Sequence, residues 1–339
     1  MADEIGIEAP VSIRDVARRA GVAVSSVSRV LSSHPDVSAK MRERVMVAVH
    51  ASGYSPNLLA QSLRSGTSMS VGFVVGDISN PLMAAIALAA EVRLAQAGYT
   101  LLLANSQDLP ARDMENVTAF RQRHVDGLLL SLTNEDEAAT AAALSSFGKP
   151  TVLLDRDAGA DNASRVLFDH GHGFRAATQH LIELGHRRVA LIAGLPRVRH
   201  TRERQTAVTA ALAAARLPKP LVTLGSLSRA QGQAATEKVL SATNPSTAII
   251  CGGNQLLPGV ISAIRARGLR IPEDVSLVTT DTNDLTEFYQ PPLAFVSRDA
   301  AQFGTEAANS LLRRFDGGEP DTVTLTTSFV PAPSCGPPA

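Results

Sequence analysis

Basic side chains are concentrated near the start of a 339-residue chain whose formal net charge is zero. Residues 11–68 hold eight cationic side chains and three carboxylates, a surplus of five positive charges. The cations are Arg14, Arg18, Arg19, Arg29, Lys40, Arg42, Arg44 and Arg64. Such a surplus is expected of a unit that contacts nucleic-acid phosphates, although a solvated basic surface would have the same composition.

Polar side chains also follow the apolar runs of the remaining chain, at Asp77–Pro81, Asp155-Arg156 and Asp281. A dense basic group lies nearby in sequence: Arg197, Arg199, His200, Arg202 and Arg204. Carboxylates and amides bind hydroxyl groups, whereas arginine forks bind carboxylates and phosphates. We therefore expect a small polar ligand and hypothesise a negatively charged one, such as a sugar acid or sugar phosphate. The alternative is that Arg197 and Arg199 lie on a solvated helix face.

Signals of catalysis are missing from the sequence. It contains no phosphate-loop motif, no GxSxG elbow and no pair of carboxylates arranged for acid–base work. We expect neither an enzyme nor a bound cofactor. The His170-Gly171-His172 segment has no further placed ligand, so a metal site is not expected either.

Three short helices are predicted between residues 12 and 51. Ser12 begins the first in a capping-box pattern, and Gly21 ends it. The second covers about Val24 to Leu31, and Ser38 begins the third. Two helices joined by a tight turn and followed by a third predict an all-α helix-turn-helix unit, here called the headpiece.

From Met69 onward, apolar runs alternate with helical segments. The first series is SVGFVVGD, YTLLLANS, VDGLLLSL and PTVLLD, and the second is RVLFDH, RRVALIAG, PLVTLG, TAIICGG and DVSLVTTD. Continuous Val, Ile and Leu runs between helices are typical of parallel strands covered on both faces. Two series predict an α/β core of two doubly wound lobes. The last segments, including TVTLTTSFV, are expected to return to the first lobe.

The two cysteines and the chain start indicate the compartment. Cys251 and Cys335 are far apart and without partners at metal spacing, so we expect a reducing environment. Residues 1–10 are acidic and lack the apolar stretch of a secretory signal. No apolar run approaches the roughly 20 residues that span a bilayer. The sequence therefore predicts a cytoplasmic protein without membrane contact.

The segment from Ser12 to Gly53 carries the most specific signal. IRDVARRAGV, SVSRVL, VSAKMRERV and GYSPN resemble the LacI/GalR (lactose-repressor) family of bacterial regulators, and the resemblance continues through the core. It implies a periplasmic-binding-protein-like core and a repressor that binds a palindromic operator. It also implies a homodimer, with a tetramer as the alternative assembly.

The resemblance and the helix-turn-helix pattern indicate the same base-reading residues: Val24, Ser25 and Arg29. An arginine can bind guanine O6 and N7, and a valine can contact a thymine methyl. The resemblance also implies phosphate contacts, which set register rather than sequence, by Ser12, Ser26, Ser28 and Ser38. For Ser12 and Ser38 the alternative is a capping role alone.

Residues 57–64 resemble the hinge helix of the family. Leu63 matches a leucine that family members wedge between base pairs in the minor groove. The same groove would accommodate Asn57, Ala60 and Gln61. The alternative is that Leu63 is one apolar residue of an ordinary linker.

The cleft between two lobes is the expected effector site, because ligands bind beyond the carboxyl ends of parallel strands. Asp155, Arg204 and Asp281 match recurrent effector contacts of the family. The strand ends and the basic group add Asn80, His200, Arg202 and Asn254. The chain departs from the family pattern at Gly253-Asn254, Thr279–Thr282 and Ala207, which argues against a standard hexose or purine ligand.

We therefore expect a disordered tail (1–10), a headpiece (11–56), a hinge (57–68) and a core (69–339). Within the core, the N-lobe covers about 69–167 plus 300–327, and the C-lobe about 168–299 plus the C-terminal end. The predicted function is an effector-responsive repressor, with the sign of the response left open. One alternative is a regulator with a vestigial cleft that a protein partner controls. A sugar-binding protein without DNA function is disfavoured by the headpiece.

Overall fold

The computed structural model describes residues 11–31, 34–54, 66–135, 138–157, 162–281 and 284–339. They belong to two compact units, Met1–Ser68 and Met69–Ala339. Each unit has its own hydrophobic core.

Three helices form the first unit. They are α1 (Ile13–Ala20), α2 (Val24–Leu31) and α3 (Ala39–Ser52). Val16, Val27 and Val45, one from each helix, are fully buried in a shared core. Gly21 and Gly53 end α1 and α3 in the left-handed conformation, which glycine adopts without a Cβ clash. This unit is the predicted helix-turn-helix headpiece.

The second unit contains two six-stranded sheets, each the centre of one lobe. The strands of the first sheet are β1 (Ser70–Val75), β2 (Thr100–Asn105), β3 (Gly127–Leu130), β4 (Thr151–Leu154), β5 (Ser164–Asp169) and β11 (Thr322–Thr326). Their order is β11-β5-β4-β3-β1-β2, and all pairs are parallel. The helices of this lobe are α4 (Pro81–Gln96), α5 (Pro110–Gln122), α6 (Ala138–Phe147) and α12 (Ala300–Phe315).

The second sheet repeats this arrangement. Its strands are β6 (Val189–Ala193), β7 (Leu221–Leu224), β8 (Ala248–Gly252), β9 (Ser276–Thr280), β10 (Ala294–Ser297) and β12 (Ser328–Val330). Their order is β12-β10-β9-β8-β6-β7, and β12 runs antiparallel to β10. The helices are α7 (His170–Glu183), α8 (Arg199–Ala214), α9 (Arg229–Leu240), α10 (Leu257–Ala266) and α11 (Asp284–Phe288).

Both faces of each sheet are covered by a pair of helices. In the first lobe α4 packs with α12, and α5 packs with α6. In the second lobe α7 packs with α8, and α9 packs with α10. The α9–α10 contact is very close, as the position of Gly259 shows. A Cβ at this residue would lie 1.9 Å from the carbonyl oxygen of Arg229. The predicted class, a helical headpiece with two doubly wound lobes, is confirmed.

One strand does not join the predicted sheet. The sequence pattern groups RVLFDH with the second series, but β5 pairs with β4 in the first sheet, so that grouping is wrong. The last predicted strand is divided between the lobes, since β11 joins the first sheet and β12 the second. The reason is that an alternation of strands and helices carries no information about which sheet a strand enters.

The chain crosses between the lobes three times, and the crossings lie side by side. They follow β5, β10 and β11. Asp169 pairs with Thr326, and Ser297 pairs with Ser328. Between them, the Thr327 hydroxyl donates to the Asp169 carbonyl at 2.6 Å and accepts from the Gly173 amide at 3.0 Å.

Candidate functional site

Helix α2 presents the predicted base-reading residues on its exposed side. Val24 and Ser25 occupy its first turn, Arg29 lies further along, and all three are exposed. Val27 and Val30 are buried in the core on the opposite side. This arrangement fits a recognition helix, whose N-terminal residues meet base edges in a major groove.

The serines predicted to contact phosphates differ in what their hydroxyls already do. The Ser12 hydroxyl donates to the Asp15 carboxylate at 2.6 Å. The Ser38 hydroxyl accepts from the Met41 amide at 3.3 Å and caps α3, which leaves its proton available for a phosphate. The other two are half-buried on α2: Ser26 and Ser28.

The predicted minor-groove residues lie outside the described part of the chain: Asn57, Ala60, Gln61 and Leu63. Their role stays a prediction from the resemblance.

In the second unit, strand ends from both lobes surround one cavity. Including its solvent-open part, the cavity measures about 690 Å³. Five predicted effector residues line it: Asn80, Asp155, His200, Arg204 and Asn254. An apolar portion of the lining comes from the first lobe: Leu82, Met83, Ile86, Leu154, Phe168 and Phe303.

Asp155 and Asp281 occupy equivalent places in the two lobes. Asp155 follows β4 with φ 54°, and Asp281 follows β9 with φ 60°. This left-handed conformation costs a non-glycine residue roughly 1–2 kcal/mol, and such strain is common at functional sites. Each carboxylate pairs with a base that follows the neighbouring strand: His170 for Asp155, and Arg298 for Asp281.

A buried chain of hydrogen bonds links the lobes through His170. Its Nε2 lies 2.8 Å from the Asp155 carboxylate, and Arg204 donates to its Nδ1 at 3.3 Å. Nδ1 is therefore the acceptor, so the proton of the neutral ring resides on Nε2 and is donated to Asp155. Arg204 is only 2% exposed and also donates to the carbonyl oxygen of Gly252 at 2.6 Å.

Burial controls the ionisation of this chain. It lowers the pKa of His170 to about 4, although the Asp155 carboxylate alone would raise this pKa. It also lowers the pKa of Arg204 to about 9. Burial alone would raise the pKa of Asp155, but the adjoining His170, with His200 and Arg156, holds it well below its ordinary value. At neutral pH the chain therefore consists of a carboxylate, a neutral imidazole and a guanidinium.

Arg298 stands between Asp281 and the cavity. Its guanidinium forms two hydrogen bonds to the Asp281 carboxylate, one of them of 2.8 Å, and lies over the Phe168 ring at 5.7 Å. Burial alone would lower the pKa of Arg298, but the Asp281 carboxylate raises it. Arg298 lines the cavity, whereas the predicted effector residue Asp281 is not among the lining residues.

The basic side chains of residues 197–204 differ in their exposure to solvent and in their partners. Arg197 is exposed, whereas Arg199 is largely buried and donates to Asp155 at 3.1 Å, so Arg199 does not lie on a solvated face. Arg202 pairs with Glu135 at 2.9 Å and is not among the cavity-lining residues. Arg199 and Arg202 are thus matched by carboxylates, whereas the buried Arg204 donates to the Gly252 carbonyl oxygen and to His170.

Two amide contacts join the lobes within the cavity lining. Asn254 of the second lobe donates to Asn80 of the first at 2.8 Å. Gln255 donates to Asp77 at 2.7 Å. The polar groups of the two lobes therefore bind one another directly.

Several residues of this site were not selected from the sequence, among them Phe168, His170 and Arg298. Each lies at or just beyond the end of β5 or β10. The strand-end rule that selected Asp155 applies equally to His170 and Arg298, since each directly follows a strand.

The residues that the structure describes lack two further features. These residues include no group of three or more His, Cys, Asp or Glu that could hold a metal ion. Among the same residues, no helix is both long and apolar enough to cross a membrane.

Two family models match the chain. Residues 12–57 match the model described as bacterial regulatory proteins, lacI family, and residues 178–335 match a periplasmic binding protein-like domain. The HTH-type transcriptional repressor PurR of Actinobacillus pleuropneumoniae serotype 3 is 30% identical over 322 residues, covering 94% of this chain and 96% of that protein. PurR of Haemophilus influenzae (strain PittEE) is 32% identical, over 89% of this chain and 90% of that protein.

Solved structures extend the similarity to the whole fold. The lac repressor dimer bound to operator and the anti-inducer ONPF superposes with a TM-score of 0.86 at 26% identity, covering 96% of this chain and 99% of that one. The complex of the transcriptional regulator CelR with cellobiose superposes with a TM-score of 0.73 at 30% identity, with the same coverage.

Proposed function

The chain belongs to the lacI family of bacterial regulatory proteins and is a transcriptional repressor with an effector domain, and we propose that a small uncharged polyhydroxy compound controls its binding to a palindromic operator. The observation that carries the proposed effector class is the equal number of carboxylates and guanidinium groups in the cavity lining. Because the family consists of regulators and not enzymes, the cleft is proposed to bind its ligand without chemical change.

The DNA-binding part of the proposal rests on the exposed side of α2. Val24, Ser25 and Arg29 are the proposed base readers, and Ser26, Ser28 and Ser38 are proposed to contact phosphates. Ser12 is the weaker phosphate candidate, because its proton is already donated to Asp15. Leu63, with Asn57, Ala60 and Gln61, keeps its proposed place in the minor groove. The chromosomal target implies a cytoplasmic repressor.

A homodimer is supported by apolar side chains left in solvent. Leu88 and Val92, one turn apart on α4, are 65% and 48% exposed, and Phe288 on α11 is 75% exposed. Together with Ala85 and Ala89, the α4 residues form an apolar stripe next to α12. The lac repressor, a dimer in its operator complex, is similar over almost the whole chain. A second copy of the chain is therefore the proposed partner of this stripe.

The charges around the cavity favour a neutral effector over the anionic one hypothesised from the sequence. The lining carries three carboxylates and three guanidinium groups: Asp77, Asp108, Asp155, Arg156, Arg204 and Arg298. Arg298 is neutralised by Asp281, and burial lowers the pKa of His200 well below its ordinary value. Acceptors and donors beside an apolar surface suit the hydroxyls and carbon face of a sugar. The cellobiose bound by CelR is an uncharged sugar.

Calorimetric titration and thermal-shift measurements would test the effector class. The probes are D-ribose, D-glucose, D-galactose and cellobiose against D-gluconate and glucose 6-phosphate. We expect binding among the neutral sugars, lost in Asp155→Ala and retained in Asp157→Ala, the same change at an exposed residue two positions along. Selective binding of the phosphate or the acid would contradict the proposal.

Footprinting on DNA upstream of the gene, with and without the bound sugar, would test the regulatory part. We expect a protected palindrome whose protection changes when the sugar is added. Protection that no sugar alters would favour control by a protein partner instead.

A further inference from the structure

A carboxylate of the first lobe is buried against the second lobe. Glu135 lies beyond the end of β3, and its side chain is 1% exposed. Its two oxygens each accept from the backbone amide of Arg199 at 3.0 Å, and the guanidinium of Arg202 donates to it at 2.9 Å. Both partners belong to α8 of the second lobe.

Helix α8 needs an acceptor from elsewhere at this end. Its N-cap residue is Val198, whose side chain cannot accept a hydrogen bond from the first-turn amides. Glu135 supplies the missing acceptor and also places a negative charge at the positive end of the helix dipole. A cap that most helices carry in their own sequence thus comes here from the opposite lobe.

The first turns of α8 also supply part of the effector cavity. His200 and Arg204 line the cavity, and Arg199 donates to Asp155 and to the carbonyl oxygen of Phe168, both in the first lobe. Any opening of the cleft that draws α8 away would leave Glu135 buried without the Arg199 amide and the Arg202 guanidinium, or would carry Glu135 into water. Loss of partners by a buried charge is strongly unfavourable, so the contact opposes opening.

We propose that Glu135 is a positioning residue that clasps α8 across the cleft, keeping the lobes closed and placing His200 and Arg204 before any effector binds. The closure does not depend on the identity of the effector. Only the consequence for ligand binding rests on the proposed function. A failed sugar screen would thus refute the effector class and leave the clasp to be judged by its own measurement.

The test measures the distance between the lobes in the full chain without ligand. Nitroxide labels are attached at Ala111→Cys and Ala230→Cys, two exposed residues at the N-terminal ends of α5 and α9, in a Cys335→Ser background. The distance between the labels is measured by double electron–electron resonance. Labelled chain is diluted with unlabelled chain, so that distances between subunits do not contribute to the signal. The parent chain is expected to show one narrow distance.

Glu135→Gln is expected to add a second, longer distance, because an amide cannot replace the charge that holds Arg202 and the helix end. Glu203→Gln is the matched control: Glu203 pairs with the Arg199 guanidinium within α8, so its loss removes a carboxylate from the same arginine and leaves Glu135 with both of its donors. The control is expected to keep the parent distance. A parent-like distance in a folded Glu135→Gln chain, or an equal shift in the control, would overturn the proposal.

Arg202→Gln guards against a Glu135 variant that fails to fold. Arg202 is 46% exposed, so its replacement leaves the core intact while removing one half of the clasp. We expect Arg202→Gln to add the longer distance at a smaller population than Glu135→Gln does, with an unchanged circular-dichroism spectrum. An unchanged distance in this variant would count against the clasp.

Discussion

Replacing His170 by Gln should make the free energy of unfolding decrease less steeply as the pH is lowered. The folded pKa of His170 is about 4, below the ordinary 6.5, because the ring is buried. As the pH falls through 6.5, the His170 imidazole takes up a proton in the unfolded chain but not in the folded chain. The free energy of unfolding therefore decreases. Linkage gives a loss of about 2 to 3 kcal/mol between pH 7 and pH 4.5 from this residue alone. The lowered pKa of Asp155 takes effect mainly below its ordinary value of 3.8, so it contributes little in this window.

The assay is urea unfolding at a series of pH values, followed by circular dichroism. The Gln side chain can still donate to Asp155 but cannot titrate, so the difference between the parent and His170→Gln isolates the imidazole. His172→Gln, at an exposed position of the same helix, controls for the loss of a histidine. If the parent and His170→Gln lose the same free energy of unfolding between pH 7 and 4.5, the assignment of a buried neutral His170 is incorrect.

Three further changes test other parts of the molecule. Arg29→Ala should weaken operator binding by about 1–3 kcal/mol and relax preference at one base pair, measured by gel shift on the protected site; a uniform loss on all sequences would indicate a phosphate contact instead. Leu88→Glu should shift the chain from dimer to monomer in sedimentation velocity, because it places a charge in the α4 stripe; a persisting dimer would exclude this surface. Gly259→Ala should lower the free energy of unfolding by about 1–3 kcal/mol, because α9 must move away from the new Cβ; unaltered urea unfolding would contradict the close packing of α9 on α10.

Local pattern was sufficient for the elements and for part of the site. The fully buried residues of β1, β3 and β8 appear in the sequence as unbroken apolar runs, and Asp155 and Asp281 were identified because they follow such runs. Helix periodicity in the headpiece likewise separates Val27 and Val30 from Ser25 and Arg29. These signals depend on residues close together in sequence.

Partnerships across long separations could not be predicted. Glu135 contacts Arg199 and Arg202 more than sixty positions away, and nothing in its neighbourhood distinguishes it from a surface glutamate. Arg298 follows a predicted strand, but its pairing with Asp281 depends on β10 lying beside β9. The grouping of β5 with the second series was wrong for the same reason, since sheet order is a property of the whole chain.

The three adjacent crossings between the lobes restrict how the lobes can move. One connection would leave a joint with three rotational degrees of freedom. Three strands in a row, with Asp169 and Gly173 bound through Thr327, resist twisting and sliding but still allow bending about the line that they define. We therefore expect the opening angle of the cleft to be the main coordinate of relative motion. A ligand or a side-chain contact at any point along the cleft consequently acts on that single angle, and its leverage grows with its distance from the crossings.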